Sequence, residues 1–308
     1  DNFLFKVIYS FHMPIFMIVS GYLFYNSLTR KTASTIIVSR IRMLLVPILS
    51  FALIYKIPLA ISVLRGMYSV RFFICDIFKC IFLGYHLWFL WSVFLNSMLV
   101  LVVYNYKLPL FSYFLIWICS LFPSVQGDFL TGIELYSFMY PFFVIGFLFH
   151  KYGNTKWYDD VRVLIFSGLL YALLLLFYNR DTYIYTTGQS VLKDNYLYYF
   201  LIDIQRFLTG FCGSVFFINA FRHLYIFIGS NHYFKYLSAL GINSMGIYCF
   251  HHIFLWQFIK RCTVRIHIDY CSLPLTLLTL CSALFFGLVC TLFAKKSMIT
   301  NILFLGGR

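Results

Sequence analysis

The sequence predicts an all-α fold, a polytopic bundle of transmembrane helices, on two observations. Of 308 residues, 62% are hydrophobic and only 11% are charged, whereas a soluble domain carries about a quarter of its residues charged. The apolar residues also fall into runs of roughly 17–25, the length that crosses a bilayer. Mean hydropathy is +0.84. Aromatic residues make up 22%, with 38 Phe and 25 Tyr, a content that suits interfacial belts and polar-tipped cavities.

About nine spans follow in order. The first, about 7–28, holds Phe11-His12-Met13-Pro14 near one end and Ser20-Gly21-Tyr22-Leu23 near the other. A basic flank with Arg30, Lys31, Arg40 and Arg42 leads into the second, about 44–63, which opens on Leu44-Leu45-Val46-Pro47. Lys56 and Pro58 interrupt it, and the sequence assigns them no role. The segment 71–84 is apolar but short and carries Arg71, Asp76 and Lys79, so it reads as an interfacial or re-entrant helix. Further spans are expected over 86–104, 108–123, 134–150, 161–178, 197–221, 240–259 and 273–294. The longest polar stretch, about 179–196, is too short for a soluble domain, and no fixed-period repeat is visible. The expectation is one integral-membrane domain over 1–308.

Orientation follows the basic loops. With the N-terminus outside, the larger share of the cations, including Arg30, Lys31, Arg40, Arg42, Lys107 and Lys151, lies inside. Lys260, Arg261 and Arg265 stand against this arrangement. The chain opens on Asp1, and nine spans from an outside start leave the count one short of an inside N-terminus. Both features lead us to expect a further helix before residue 1, ten in all.

The formal charge of +14 lies between apolar spans and is accounted for by topology and anionic lipid. No Gly-rich phosphate loop or nucleic-acid motif competes, so the bilayer is the expected partner and nucleic acid is not. Nine Cys occur without a CxxC, mostly in apolar runs, and read as small buried side chains. Cys75/Cys80 and Cys262/Cys271 lie near span ends and could pair, though nothing demands it. No metal spacing appears, and adjacent His251 and His252 point to different faces of a helix.

Ionisable groups inside a membrane are costly and usually functional. Asp203 and Arg206, three apart, share one helix face and can pair. They read either as an ion pair that fixes packing or as a polar cavity wall. At about 1.5 Å per residue, His12 lies roughly 7–8 Å below the outer end of its helix, Asp203 and Arg206 roughly 9 and 13 Å, and His251 roughly 12 Å. Agreement in depth points to one outward-leaning polar cavity, although each histidine could instead bond a backbone carbonyl. His86-Leu87-Trp88-Phe89-Leu90-Trp91 is either an aromatic belt or a stacking wall for a sugar ring. Arg40 and Arg42, just before Leu44, either anchor the inner face or recognise phosphates. Ser20-Gly21 either packs helices or leaves room for a cofactor arm.

Together these residues resemble the integral-membrane acyltransferase family 3, particularly its fucose 4-O-acetylase-like and intercellular-adhesin-type branch. Five segments match in order. They are Phe11-His12-Met13-Pro14 through Leu23, Arg40-Ile41-Arg42 through Pro47, Leu87-Trp88-Phe89-Leu90, Pro141-Phe142-Phe143 through Phe147, and Asn243-Ser244-Met245-Gly246 through His251. The resemblance implies a ten-helix protein of the plasma (inner) membrane. Its expected activity moves an acyl group, usually acetyl from acetyl-CoA as donor substrate, to a hydroxyl of a surface polysaccharide or its lipid-linked precursor. No bound cofactor or metal is expected. The family's first helix carries an Asp/Arg start and a histidine about ten residues later, thought to be catalytic. This sequence begins at the family's second helix, so the segment alone is expected to be inactive.

On this reading His12 and His251 line the acceptor cavity, and Asp203 and Arg206 fix it or polarise a hydroxyl. Arg40 and Arg42 hold the CoA phosphates with Ser20 beside the acyl arm, and His86 and Trp88 shape the outer mouth. A sugar hydroxyl needs a general base near its operating pH, for which histidine is suited, and a thioester oxyanion needs a donor. A polysaccharide exporter or flippase is the rival, as is succinyl transfer. Transport would favour broken helices in matched halves, and no such pairing appears.

Overall fold

The computed structural model describes residues 3–82, 87–121, 131–153, 157–184, 196–228, 232–254 and 273–307. Among the described residues all regular structure is helical. Among the described residues, five helices are long and apolar enough to cross a membrane: Phe3–Arg30, Ala33–Tyr55, Trp88–Asn105, Leu197–Ile228 and Leu277–Lys296. Large apolar side chains face outward, such as Phe227 at 89% and Leu176 at 75% exposure. A surface of this kind needs hydrocarbon around it, so the chain is a multi-pass membrane helix bundle. It packs as two compact units, Asp1–Ile37 with Trp91–Gly229, and Val38–Leu90 with Ser230–Arg308.

The first unit contains α1 (Phe3–Arg30), most of α6 (Trp88–Asn105), α7 (Phe111–Leu121), α8 (Thr131–Tyr152), α9 (Val161–Phe177) and α10 (Tyr196–Ile228). Its centre is the crossing of α1 and α8. A Cβ on Gly21 would strike the Phe143 carbonyl, and one on Gly146 would strike that of Ile18. Lipid-embedded helices associate by close packing rather than by hydrophobic effect, so paired glycines decide where these two touch. Gly210 and Gly213 of α10 receive Pro14 and Phe11 of α1 in the same way.

Pro14 has no N–H to offer the Ser10 carbonyl, a weak point in α1. There the hydroxyls of Ser10 and Tyr171 lie 2.8 Å apart, and both reach the Val7 carbonyl at 2.8 and 3.0 Å. Helix directions follow from the ring contacts. Tyr25 meets Tyr104 and Phe147, Phe207 stacks on Phe142, and Phe211 meets Phe149, so α1, α6, α8 and α10 run the same way. Tyr178 at the end of α9 packs on Tyr183, which packs on Tyr9, so α9 runs opposite to α1.

The second unit differs from expectation at its first span. A continuous helix covers Ala33–Tyr55, rather than 44–63. It comprises α2 (Ala33–Arg40), a π-helical turn (Ile41–Leu45) and α3 (Val46–Tyr55). The π turn sits directly before Pro47, where the Val46 N–H reaches back to Ile41 O. The wider turn absorbs the carbonyl that proline would otherwise clash with. Pro58, unable to continue the ladder, ends α3 at Lys56 and starts α4 (Ile57–Leu64). Lys56 Nζ then pairs with Asp76 Oδ2 at 2.6 Å, tying α5 (Val70–Phe82) to the end of α3.

The expected helix from 240 is broken as well. α11 (His232–Ile242) and α12 (Ser244–Ile253) meet at Asn243, whose side-chain amide donates to Ala239 O at 2.7 Å and whose Oδ1 accepts from Lys295 Nζ at 2.8 Å. Side-chain bonds of this kind compete with the helical ladder. α13 (Leu273–Lys296) is followed by α14 (Met298–Leu305). Gly306, at φ +69°, caps α14 by donating to Ile302 O, with Gly307 donating to Asn301 O.

Candidate functional site

The polar centre of the first unit is the pair on α10. Arg206 Nη1 donates to Asp203 Oδ1 at 2.8 Å, and Arg206 Nε donates to Thr182 O at 3.0 Å. The guanidinium also lies over the Phe138 ring at 5.9 Å. Arg206 is 3% exposed, so it needs these bonds to be tolerated there. Thr182 is presented by a short turn, Arg180–Thr182, which Asn179 caps by accepting from the Asp181 and Thr182 amides. The pair has two structural consequences, though the cavity it borders is apolar and is lined by neither His12 nor His251. It ties α10 to the turn after α9, and Asp203 also forms part of a cavity wall.

That cavity, about 460 Å³, lies between α7, α8 and α10. Its lining is apolar and aromatic, with Tyr113, Trp117, Tyr140, Phe138 and Phe207 among the walls and Asp203 as the charged residue. Trp117 Nε1 and Tyr140 Oη are buried in this lining with no hydrogen-bond partner. Sequence reasoning did not single out either residue. An indole and a phenol in an apolar run look like core, and only the facing helices show that their polar tips meet no acceptor.

His12 lies at the same end of the unit. Its Nδ1 is 3.0 Å from Ile8 O, and its ring packs beside Tyr9 at 5.7 Å. Tyr9 meets Tyr183, the residue after Thr182, at 4.7 Å between ring centroids. His12 is therefore linked to Arg206 through Tyr9, Tyr183 and the Thr182 backbone. Its backbone bond is the bland alternative the sequence offered. Ser20 sits half-buried beside the Gly21 crossing.

In the second unit, His251 Nδ1 is 3.1 Å from Ile247 O, and the ring lies 5.7 Å from Tyr248. Arg40 and Arg42 do not precede the span, as expected. They lie within the Ala33–Tyr55 helix, either side of the first residue of the π turn, because the helix starts about eleven residues further back than expected. The Arg42 guanidinium lies against the Gly306-Gly307 turn, where a side chain on Gly307 would collide with it. Trp88 is 8% exposed and packs edge-on to Phe89, which meets Tyr248 at 5.9 Å. His86, Cys262, Cys271, Lys260, Arg261 and Arg265 lie outside the described residues. Cys75 and Cys80 are both free. Among the described residues no group of three or more His, Cys, Asp or Glu could hold a metal.

A family profile described as an acyltransferase domain, Acyl_transf_3, matches residues 1–296. The chain is 30% identical to the Nodulation protein NolL of Mesorhizobium japonicum over 190 residues, 59% of this chain and 48% of the relative. It is also 30% identical to the Nodulation protein NolL of Sinorhizobium fredii over 199 residues, 60% of this chain and 51% of the relative. The chain thus spans about half the length of the curated relatives it matches. No solved structure matches. With that profile covering nearly its whole length, and with an all-helical membrane bundle beneath it, the chain belongs to the integral-membrane acyltransferase family 3.

Proposed function

We propose that the full-length protein is a membrane O-acyltransferase that moves an acetyl group from acetyl-CoA to a hydroxyl of a cell-surface polysaccharide or its lipid-linked precursor. The family match over residues 1–296 carries this reading. The Asp203–Arg206 pair supports it, because it puts a carboxylate on the wall of an otherwise apolar cavity. Asp203 accepts a hydrogen bond from the acceptor hydroxyl and orients it, while Arg206 holds the carboxylate in place. His12, His251, His86 and Trp88 are assigned to the acceptor as roles for mutagenesis to test. Arg40 and Arg42 are assigned to the anionic phosphates of the donor, a task for which guanidinium groups are well shaped, and Ser20 is assigned a role toward the acyl arm. The protein works in the plasma (inner) membrane, where donor and glycan precursor meet.

The test compares the acetyl-ester content of surface glycan in cells with the full-length gene, without it, and with Arg206→Ala. The expected result is glycan present at normal amount but without ester in the last two. Normal ester content on a reduced amount of surface glycan overturns the proposal in favour of export. Purified full-length protein offered labelled acetyl-CoA and succinyl-CoA should transfer the acetyl label.

A further inference from the structure

In the second unit, α14 ends on a turn whose shape is tied to Arg42. The helix is firmly seated. Leu305 is 2% exposed, the Phe304 ring meets Phe51 at 5.5 Å and Phe250 at 5.8 Å, and Thr300 Oγ1 donates to Ala294 O at 2.8 Å. Two glycines follow, Gly306 at φ +69° and Gly307 at φ +79°. Their N–H groups close the helix, Gly306 onto Ile302 O at 3.1 Å and Gly307 onto Asn301 O at 3.0 Å. The family profile matches residues 1–296, so this turn lies outside the matched segment.

Each glycine makes room for a different part of the π turn. A Cβ on Gly306 would strike Met43 Cα and the Arg42 carbonyl oxygen, both of them backbone. The end of α14 therefore lies directly on the main chain of the Ile41–Leu45 turn. A Cβ on Gly307 would meet the Arg42 guanidinium first, 2.5 Å from Nη2, 3.0 Å from Cζ and 3.1 Å from Nε. The guanidinium thus rests where a side chain on Gly307 would otherwise be. Arg42 is exposed, and among the described residues it pairs with no carboxylate. Its charge is held in place by the shape of the turn, and no acid there neutralises it. A long, rotamer-rich cation loses freedom when it binds an anion, and a seat that already restrains it lowers that cost.

We infer that the Gly306-Gly307 turn is a positioning element for Arg42, holding its guanidinium ready for the phosphates of the acyl donor. This rests on the proposed assignment of Arg42 to those phosphates and deepens it. The turn acts through Arg42, and donor affinity depends on the end of α14.

The test measures binding of radiolabelled coenzyme A to the full-length protein in phosphatidylcholine nanodiscs. Gly307→Ala pushes on the far end of a flexible side chain, so the fold accommodates it by displacing the Arg42 guanidinium. It should weaken binding by about tenfold, a coupling usual for residues in contact. Gly66→Ala controls for backbone strain, because Gly66 has φ +75° and nothing lies within 4 Å of its Cβ position. That variant should bind as the parent does. Arg42→Ala should weaken binding at least as much as Gly307→Ala, and adding Gly307→Ala to it should cost no more than about twofold further. Equal losses from Gly307→Ala with and without Arg42 overturn the inference, because the turn then acts on stability alone. Unchanged affinity in Gly307→Ala overturns it too. If Arg42→Ala keeps its affinity, the inference falls, while acetyl ester on the surface glycan of cells carrying that variant leaves the enzyme reading standing. The expected coupling in a protein that transfers no acyl group supports the seat and sinks the enzyme reading.

Discussion

At the scale of single residues, Arg206 is the side chain on which the site turns. It is almost wholly buried, and it bonds at once to Asp203 and to the backbone of Thr182. Truncating one member of a buried pair strands the other, at a cost of about 3–5 kcal/mol. Asp203 retains some exposure, which places Arg206→Ala near the lower end. A detergent thermal-melt assay should show that loss, with acetyl transfer abolished. Asp203→Asn separates structure from chemistry. Its amide oxygen can still accept from Arg206, so the melting temperature should barely move. On the proposed role, losing the carboxylate should lower transfer by about 10²-fold. An equal loss of stability in both variants would make the pair a packing device only.

At the scale of helices, the glycine crossing and the tethered break carry the packing. Gly146→Ala would push a methyl group into the Ile18 carbonyl, and Gly21→Ala one into that of Phe143. Both obstacles are backbone and cannot rotate away. Each substitution should cost about 1–3 kcal/mol as overpacking, read as a lower melting temperature and reduced yield of folded protein. The Lys56–Asp76 pair, about a quarter exposed, calls for a double-mutant cycle with Lys56→Met and Asp76→Asn. Its coupling energy should be about 1 kcal/mol or less. Its loss should show first as faster proteolysis around α5.

At the scale of the whole molecule, the bundle turns soluble-protein logic outward. Phe227, Leu176 and Phe285 face the surroundings while Ser92, Asn96, Thr209 and Asn219 are buried. In the first unit the helix directions put Arg30 and Lys151 at one end and the Thr182 turn at the other. If the basic end is cytoplasmic, Arg180→Cys should react with an impermeant maleimide in intact cells. Lys31→Cys should react only after permeabilisation. The opposite pattern would invert the bundle and with it the side from which donor and acceptor arrive.

The apolar run lengths determined by themselves that the chain is a helical membrane protein, because a backbone in hydrocarbon must satisfy its own hydrogen bonds and only an uninterrupted helix does so locally. Spacing alone brought Asp203 and Arg206 onto one face, since three residues in a helix are a local matter. Only tertiary structure decided the rest. The second span slid back to Ala33–Tyr55 because a π turn made room for Pro47, and Lys56 gained a partner twenty residues away. Gly21 proved to be a contact point because Phe143 lies against it. Trp117 and Tyr140 proved to line a cavity only when three helices closed around them. Each of these facts concerns a neighbour distant in sequence, and helical periodicity carries no record of which neighbour that is.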